Sequence, residues 1–458
     1  MKIRESERDV PVFHEADVCV VGGSCTGVFA AVRAARLGLR VAVVEKQNSF
    51  GGMATQSILG YWHSLKDTEF KREIIAGLTR EIMDRLRKRE AVEVIEGSPD
   101  AGSVLNTEEL KIELDELVTE SGIMPYLHTW FAAPYLKDGR LEGVIVENKS
   151  GRGVILAKAF IDATGDGDLA CRLGLPFTLR KHLQPPTTCS RILGTEQVSI
   201  PDLIRAHGAE FGLPADWGWS GQVVGVPGVK FHAETHVFDV NCADADDLTR
   251  AEMQGRRTVR AYMDAVRKYA GRKPVLVDLG AHIGIRETRH IHGAYRLTEQ
   301  DVLTGAAFDD AIGYGSYRVD IHHENRDGIT FRYLDGTEQV CEKGAWHSRR
   351  WRPETPVNPT FYQIPYRTMV PAGCDNLLVC GRAIDADAGS FGAIRVMVNT
   401  NQTGEAAGVA AYCALSAGVS FARVDSRTLR KTLATGGSIA GAPRSVDTAG
   451  NNRVNSKT

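Results

Sequence analysis

Residues 17 to 45 constrain the fold of this chain more than any other stretch. Asp17-Val18-Cys19-Val20-Val21 is an apolar run of the length and type that forms a strand buried on both faces. Six residues follow, Gly22-Gly23-Ser24-Cys25-Thr26-Gly27. From Thr26 to Leu39 the sequence is rich in alanine with arginines spaced along it, and Gly38 stands where a helix would stop. Arg40 to Glu45 (RVAVVE) is a second apolar run. A strand, a tight turn, a helix and a parallel strand make a βαβ unit, and about thirty residues is the length such a crossover needs. The chain is therefore expected to carry an α/β layer with a parallel sheet.

The six-residue turn has the spacing G-x-G-x-x-G, with Ser24 in place of the second glycine. That spacing suits a pyrophosphate for physical reasons. Gly22 permits the tight turn, a small residue at 24 lets the anion approach the backbone, and Gly27 lets the helix pack on the strand. The helix N-terminus then offers unpaired N–H groups and positive dipole. The spacing alone is weak evidence, because Gly436-Gly437-Ser438-Ile439-Ala440-Gly441 repeats it with no buried strand before it and Pro443 close behind. The copy at Gly22 has the required context, with Glu45 eighteen residues past Gly27 at the end of the next strand. A carboxylate there can accept hydrogen bonds from both adenosine ribose hydroxyls and would repel a 2′-phosphate, so NADP is disfavoured.

Elsewhere the pattern predicts a helix over Lys71 to Arg87, from the stripe Ile74, Ile75, Leu78, Ile82 and Leu86. It predicts another from Thr107 to Glu120, capped by Asn106 with Glu109 three residues on and ended by Gly122. Strand-like runs at Met124 to Phe131, Leu141 to Glu147 and Val154 to Ala163 read as a small β-meander whose last strand returns to the nucleotide domain. Prolines, tryptophans and histidines accumulate from about 180 to 360, which reads as an inserted domain. Asn376 to Cys380 restores a buried strand, and Gly392 to Ala417 reads as one long helix. From Gly436 the chain is rich in Gly, Ser, Asn and Thr and reads as loosely attached or disordered.

Composition removes several function classes. Basic and acidic side chains nearly cancel, 55 against 57, so no overall field favours nucleic acid or an anionic membrane. No run of 18 or more apolar residues suggests a membrane span, and the charged start MKIRESERDV lacks the apolar region of a secretory signal, so the cytoplasm is the expected compartment. Nine cysteines occur with no CxxC pair, which reads as mostly buried, reduced thiols and argues against electron transfer through a redox disulfide.

Spacing also separates FAD from NAD. Ala31 lies four residues after Gly27 and Gly38 seven further on, and Gly51-Gly52-Met53-Ala54-Thr55 follows Glu45. Together these resemble the extended fingerprint of the glutathione-reductase-like FAD superfamily. Three later segments extend the resemblance: Ile161-Asp162-Ala163-Thr164-Gly165-Asp166-Gly167-Asp168, then Gly284-Ile285-Arg286-Glu287-Thr288-Arg289, then Tyr362 to Arg367 leading into Asn376 to Arg382. The set, over about residues 15 to 420, is similar to the bacterial FAD-dependent oxidoreductase family.

The resemblance implies an α/β fold, with a Rossmann-like FAD-binding domain and β-meander plus an inserted mixed α+β substrate domain. The expected boundaries are 15–178 for the first part of the FAD domain, 179–364 for the inserted substrate or cap domain, 365–420 for the second part, and 421–458 for a C-terminal helix and flexible tail. It implies noncovalent FAD contacted at Gly22, Gly23, Ser24, Cys25, Thr26, Gly27, Glu45 and Lys46, at Gly52, Met53, Ala54 and Thr55, at Thr164, Gly165 and Asp166, and at Gly381. One departure stands out: many superfamily members follow the late strand with Gly-Asp, whereas Arg382 follows Gly381 here, leaving Asp385 or Asp387 to hold the ribityl chain.

Reduced flavin carries negative charge near N1 and the C2 carbonyl, and a site that raises its potential places helix N–H groups or positive charge there. Gly392 and Ala393 with Arg395 are the expected providers, although Arg395 can equally be a plain ion-pair partner. For chemistry on the substrate the candidates are His63, Arg286, His290, Tyr366 and Arg367, with His282, Arg289, His292, His322 and His323 behind them. Histidine or tyrosine would take a proton, and arginine would hold a carboxylate or an oxyanion. His322-His323 has no third ligand at suitable spacing, so no metal is expected.

The expected activity is hydride transfer between a small polar organic substrate and flavin N5. With one credible dinucleotide loop, electrons would pass to oxygen, a quinone or a partner protein. Homo-oligomerisation is left open. The alternatives are an NAD-dependent dehydrogenase using the same loop, or a flavin-fold scaffold without turnover.

Overall fold

The structure is a computed structural model and describes residues 3, 6–97, 100–214, 218–324 and 327–445. At its centre lies a five-stranded parallel sheet in the order Leu377–Val379, Ala159–Asp162, Val18–Val21, Val41–Val44, Met124–Tyr126. The central strands are continuous apolar runs because both faces are covered. Val18 and Val20 point to one core, and Cys19 and Val21 point to another.

The first core is closed by the helix Cys25–Arg36 and the long helix Met397–Ala417 packed on it. The long helix is buried almost all round, which explains its alanine and glycine content. A methyl at Gly404 would lie 2.0 Å from the Thr26 carbonyl oxygen, and one at Gly408 would lie 2.1 Å from that of Ala30. The second core is closed by a four-stranded sheet, Val12–Glu15, Gly151–Leu156, Arg140–Asn148 and Trp130–Lys137.

Several predicted elements are redrawn by tertiary pairing. The run Met124 to Phe131 divides between the parallel sheet and the meander. Val154 to Ala163 divides likewise, with Ala159–Asp162 crossing into the parallel sheet as expected. Val12–Glu15 adds an unexpected parallel strand to the meander. The helix expected from Lys71 begins only at Gly77 and ends at Lys88. Asp67 first turns the chain by accepting from the Lys71 and Arg72 N–H groups, and Arg72-Glu73 pairs with Arg444-Ser445. The helix Thr107–Glu120 has the predicted bounds, with Asn106 accepting from Glu108 N and Glu109 N. The late helix is two helices, Ala388–Ile394 and Met397–Ala417, parted at Arg395-Val396.

The tail is also corrected up to residue 445. Ser438, Ile439 and Ala440 are buried, and Ser438 Oγ donates to Glu405 and accepts from Arg33. The rest of the predicted flexible tail lies outside the described residues. Seven of the nine cysteines are buried, and no described helix is long and apolar enough to cross a membrane.

Between these segments stands a mixed α+β body. One antiparallel sheet orders Trp219–Gln222, Val229–Ala233, Ser190–Leu193 and Val275–Leu279, with the helix Ala245–Tyr269 beside it. A second runs Val319–His322, Ile329–Arg332, Thr337–Glu342 and Ala345–Arg350. The Ala388–Ile394 helix packs on Val319–His322, where a methyl at Gly392 would lie 2.6 Å from the Asp320 carbonyl oxygen. That contact brings the inserted body over the C-terminal ends of the parallel strands, the position where open α/β sheets bind ligands.

Candidate active site

The loop at Gly22 is held by contacts that leave no room for side chains. Gly22 has φ +105°, and a Cβ there would lie 2.3 Å from the Ala163 carbonyl oxygen. A Cβ at Gly27 would lie 1.8 Å from the Gly22 carbonyl oxygen. Ser24, which stands where the spacing expects glycine, caps the helix by accepting from Gly27 N at 3.4 Å. Glu45 accepts from Gly23 N at 2.7 Å and from Gln47 N at 2.8 Å, so its carboxylate is aimed by two backbone donors and each oxygen keeps another lone pair.

A groove of about 250 Å³ starts at this loop. Gly22, Ser24, Cys25 and Thr26 line its middle, and Glu45 and Lys46 line one end, where the Lys46 ammonium lies 5.5 Å from the Trp130 ring centroid. Gly52, Met53, Thr164, Gly165, Asp166 and Gly381 carry it onward, and Arg382, Arg395, Met397 and Asn401 line the far end. Gly23, Gly27, Ala54 and Thr55 stand behind the wall instead: Gly23 orients Glu45, and Thr55 Oγ1 donates to the Phe50 carbonyl at 2.7 Å.

Three expected contacts lie elsewhere. Asp385 accepts from Gly293 N and sits 3.6 Å from Arg296, and its companion Asp387 caps the short helix. Gly392 and Ala393 are inside that helix, where the Ala393 carbonyl accepts from Tyr362 and Asn399. The break after Ile394 explains the difference, since it presents the start of the Met397–Ala417 helix to the groove. The departure at Arg382 is resolved by a pair: Arg382 Nη2 lies 3.1 Å from Asp166 Oδ1, and a Cβ at Gly165 would meet that guanidinium at 2.7 Å. Burial pushes the Asp166 carboxyl up, but Arg382, Lys46 and the Thr288 hydroxyl outweigh it and hold it below the usual range.

FAD fits this groove on the chemistry of its walls. Arg395 Nη2 is 2.9 Å from Asp320 Oδ2, yet its angles leave Nε and Nη2 without a hydrogen-bond acceptor, and Asn401 Oδ1 is buried without a donor. A flat ring whose edge carries an N–H supplies the donor that the Asn401 oxygen lacks, and Asn401 lines this groove alone of the two cavities. Glu45 at the other end suits a ribose diol.

A second cavity of about 720 Å³ adjoins the first and shares Met53, Ile285, Arg382, Arg395 and Met397 with it. Of the expected substrate residues, His63 and Arg286 line it. His290, Tyr366 and Arg367 line neither cavity among the described residues. His290 Nε2 is 3.2 Å from Glu287 and its ring packs edge-on to Phe391; the Tyr366 hydroxyl donates to the Phe421 carbonyl; Arg367 pairs with Asp310 at 3.0 Å. All three are therefore engaged by protein groups away from both cavities. Arg289 likewise pairs with Asp168 at 2.9 Å, and the His292 ring nitrogen lies 2.8 Å from the Thr178 hydroxyl.

Arg318 and Asp320 also line the second cavity, as does His322. Asp320 and His322 are two residues apart on one strand and so share a face. Polar residues alternating through an apolar strand were the signal in the sequence, but which cavity they face depends on the packing of the whole body.

Burial, with Arg318 and Arg395 nearby, pushes the His63 imidazole down to about 3 from its ordinary 6.5. Because the unfolded chain takes up that proton more readily, stability is lost as pH falls below about 6.5. Going from pH 7 to 5 is expected to remove roughly 1–2 kcal/mol that a His63→Phe variant does not lose. Urea titrations at the two pH values read this directly, and equal losses in both proteins would contradict it.

A family model described as FAD dependent oxidoreductase matches residues 17–433. Dihydrolipoyl dehydrogenase of Trypanosoma brucei brucei is 51% identical over 45 residues, which span 10% of this chain and 9% of that enzyme. Among solved structures, a geranylgeranyl bacteriochlorophyll reductase-like protein of Thermoplasma acidophilum aligns over 92% of this chain and 83% of its own, with 12% identity and a TM-score of 0.46. The p-nitrophenol 4-monooxygenase PnpA of Pseudomonas putida DLL-E4 aligns over 92% and 89%, with 11% identity and a TM-score of 0.42. With a parallel-sheet groove built for FAD and a family model spanning most of its length, the chain belongs to the FAD dependent oxidoreductase family.

Proposed function

We propose that this FAD-dependent oxidoreductase is a dehydrogenase or oxidase of the glutathione-reductase-like superfamily, acting on a small polar organic molecule held in the second cavity. The observation that carries the reading is the seam between the cavities, where Met53, Ile285, Arg382, Arg395 and Met397 face both. FAD held in the groove would supply a two-electron acceptor for substrate hydride, with oxygen, a quinone or a partner protein as the onward oxidant.

The chain's own residues do the rest. The first-turn N–H groups of the Met397–Ala417 helix and the Arg395 guanidinium place positive charge at the groove's far end, which stabilises negative charge developing there. Burial and neighbouring arginines hold His63 and His322 uncharged. Each lines the substrate cavity, where a neutral imidazole can orient a substrate hydroxyl or amine by hydrogen bonding.

The test is anaerobic mixing of the yellow protein with a panel of small alcohols, amines and acids. Bleaching by at least one class, followed by recovery on adding oxygen or a quinone, supports the reading. A flavin that dithionite bleaches but no member of the panel does would sink it. Separately, Glu45→Ala is expected to weaken FAD binding about 10- to 100-fold, because two charge-assisted hydrogen bonds are lost. Fluorescence titration of the stripped protein measures it, and undiminished affinity would remove Glu45 from the ribose site.

A further inference from the structure

We propose that the occupant of the second cavity is a 2-hydroxy or 2-amino carboxylate with an aromatic body, its carboxylate held by Arg395 at the seam and by Arg286 of the cavity wall. This rests on the reading of that cavity as the substrate site. Three observations converge on it.

The first is unsatisfied donors. Arg395 side-chain exposure is 13%, and both Nε and Nη2 lack an acceptor although Asp320 is close. A guanidinium so placed favours a planar, bidentate anion. Arg286 lines the same cavity with its fork steadied by the Pro185 carbonyl at 2.7 Å and the Thr187 hydroxyl at 2.6 Å, both uncharged acceptors. Arg286, Arg318, Arg382 and Arg395 line the cavity together with Asp320. The same field, with burial, keeps His322 neutral: Arg286 and Arg395 are among the groups that lower it.

The second is an unsatisfied acceptor beside those donors. Asp320 is 5% exposed, and its Oδ2 accepts from the Tyr317 hydroxyl at 2.6 Å. Its Oδ1 is buried without a hydrogen bond, and His322 Nε2 lies 3.5 Å away, beyond a good one. Leaving a buried carboxylate oxygen unsatisfied is costly, and a hydroxyl or ammonium next to the ligand's carboxylate supplies the missing donor. An acid without that neighbour satisfies Arg395 and leaves Asp320 wanting.

The third is the wall. Tyr61, Trp219 and Phe231 form one chain of ring contacts, at 5.7 and 4.9 Å between centroids. Phe331 and Trp346 stack at 5.8 Å, and the Arg318 guanidinium sits 4.0 Å from the Phe331 centroid. Aromatic faces over this much of a 720 Å³ space suit a flat apolar ligand body and leave a short aliphatic acid poorly packed.

The probes are 3-phenyllactate, its amide, 3-phenylpropanoate, lactate and benzyl phosphate, titrated into the FAD-bound full chain by calorimetry. Phenyllactate is expected to bind at least about tenfold tighter than its amide and than lactate, and about threefold or more tighter than phenylpropanoate. Arg286→Gln is expected to weaken phenyllactate about tenfold and leave the amide unchanged. Trp346→Ala, at a half-exposed position, is expected to shrink the preference for phenyllactate over lactate at least threefold. Equal binding of the amide or of lactate, or tighter binding of benzyl phosphate, overturns the proposal. Calorimetry also separates it from the redox reading. Phenyllactate that binds to a flavin no substrate reduces leaves this assignment standing and the redox one fallen, and a flavin bleached by other compounds while phenyllactate stays unbound does the reverse.

Discussion

Gly27→Ala is expected to yield a protein that unfolds at a much lower temperature and purifies without flavin. The new methyl would lie 1.8 Å from the Gly22 carbonyl oxygen and 2.9 Å from its carbon, both backbone atoms of a turn already pressed against Ala163. No rotamer relieves such a clash, so the helix Cys25–Arg36 must move off the strand, and its N–H groups leave the groove with it. Overpacking of this kind costs about 3 kcal/mol or more. Gly441→Ala is the matched control, because Gly441 holds the same place in the second copy of the spacing and a methyl there meets nothing within 4 Å. It is expected to change stability by less than about 0.5 kcal/mol. Thermal unfolding and the flavin-to-protein ratio of both variants decide the matter, and a yellow Gly27→Ala protein of unchanged melting temperature would refute it.

Arg33→Met is the second large effect. Arg33 and Glu405 are both buried, at 5% and 1% exposure, and join the loop helix to the long late helix. Arg33 Nε donates to Glu405 Oε2 at 2.8 Å, Ser438 Oγ donates to the same oxygen at 2.8 Å, and Leu78 N donates to Oε1 at 3.1 Å. Four segments meet at one carboxylate. Removing the guanidinium strands a buried negative charge, for which losses of about 3–5 kcal/mol are typical. The paired change Arg33→Met with Glu405→Leu is expected to recover much of that loss, since an apolar pair of similar volume carries no desolvation cost. A single variant as stable as the parent in guanidinium unfolding would show that the charge is not isolated.

The loop and the long late helix illustrate how legible the fold was. Val18–Val21, the turn, the helix and Val41–Val44 were read from thirty contiguous residues, because strand burial, glycine conformation and helix capping are local properties. The Asn106 cap was legible for the same reason. Lys71 to Ile75 misled because their apolar spacing fits a helix, whereas Asp67 and the strand Arg444-Ser445 hold that segment extended. The tail misled in the opposite sense: its composition is that of a linker, but Ser438 finds a buried carboxylate to bond.

For the site, Glu45 and the glycine loop meet at one groove, while Tyr366, Arg367 and His290 carry chemically apt side chains that face the core or Asp310 rather than the cavities. Residue type says what a side chain can do; its direction comes from packing.

The sequence by itself therefore determined the βαβ unit and the tight glycine turn at Gly22, since both depend on contacts spanning a few tens of residues. Only the tertiary structure decided that Arg382 meets Asp166 and Arg395 meets Asp320. Those partners are separated by 216 and by 75 positions in the chain, and each pair forms because an inserted sheet or a crossing strand is carried onto the parallel sheet by buried apolar surface. That surface is non-directional in its chemistry, so hydrophobic patterning marks where a face is buried and leaves the identity of the opposing face to the fold.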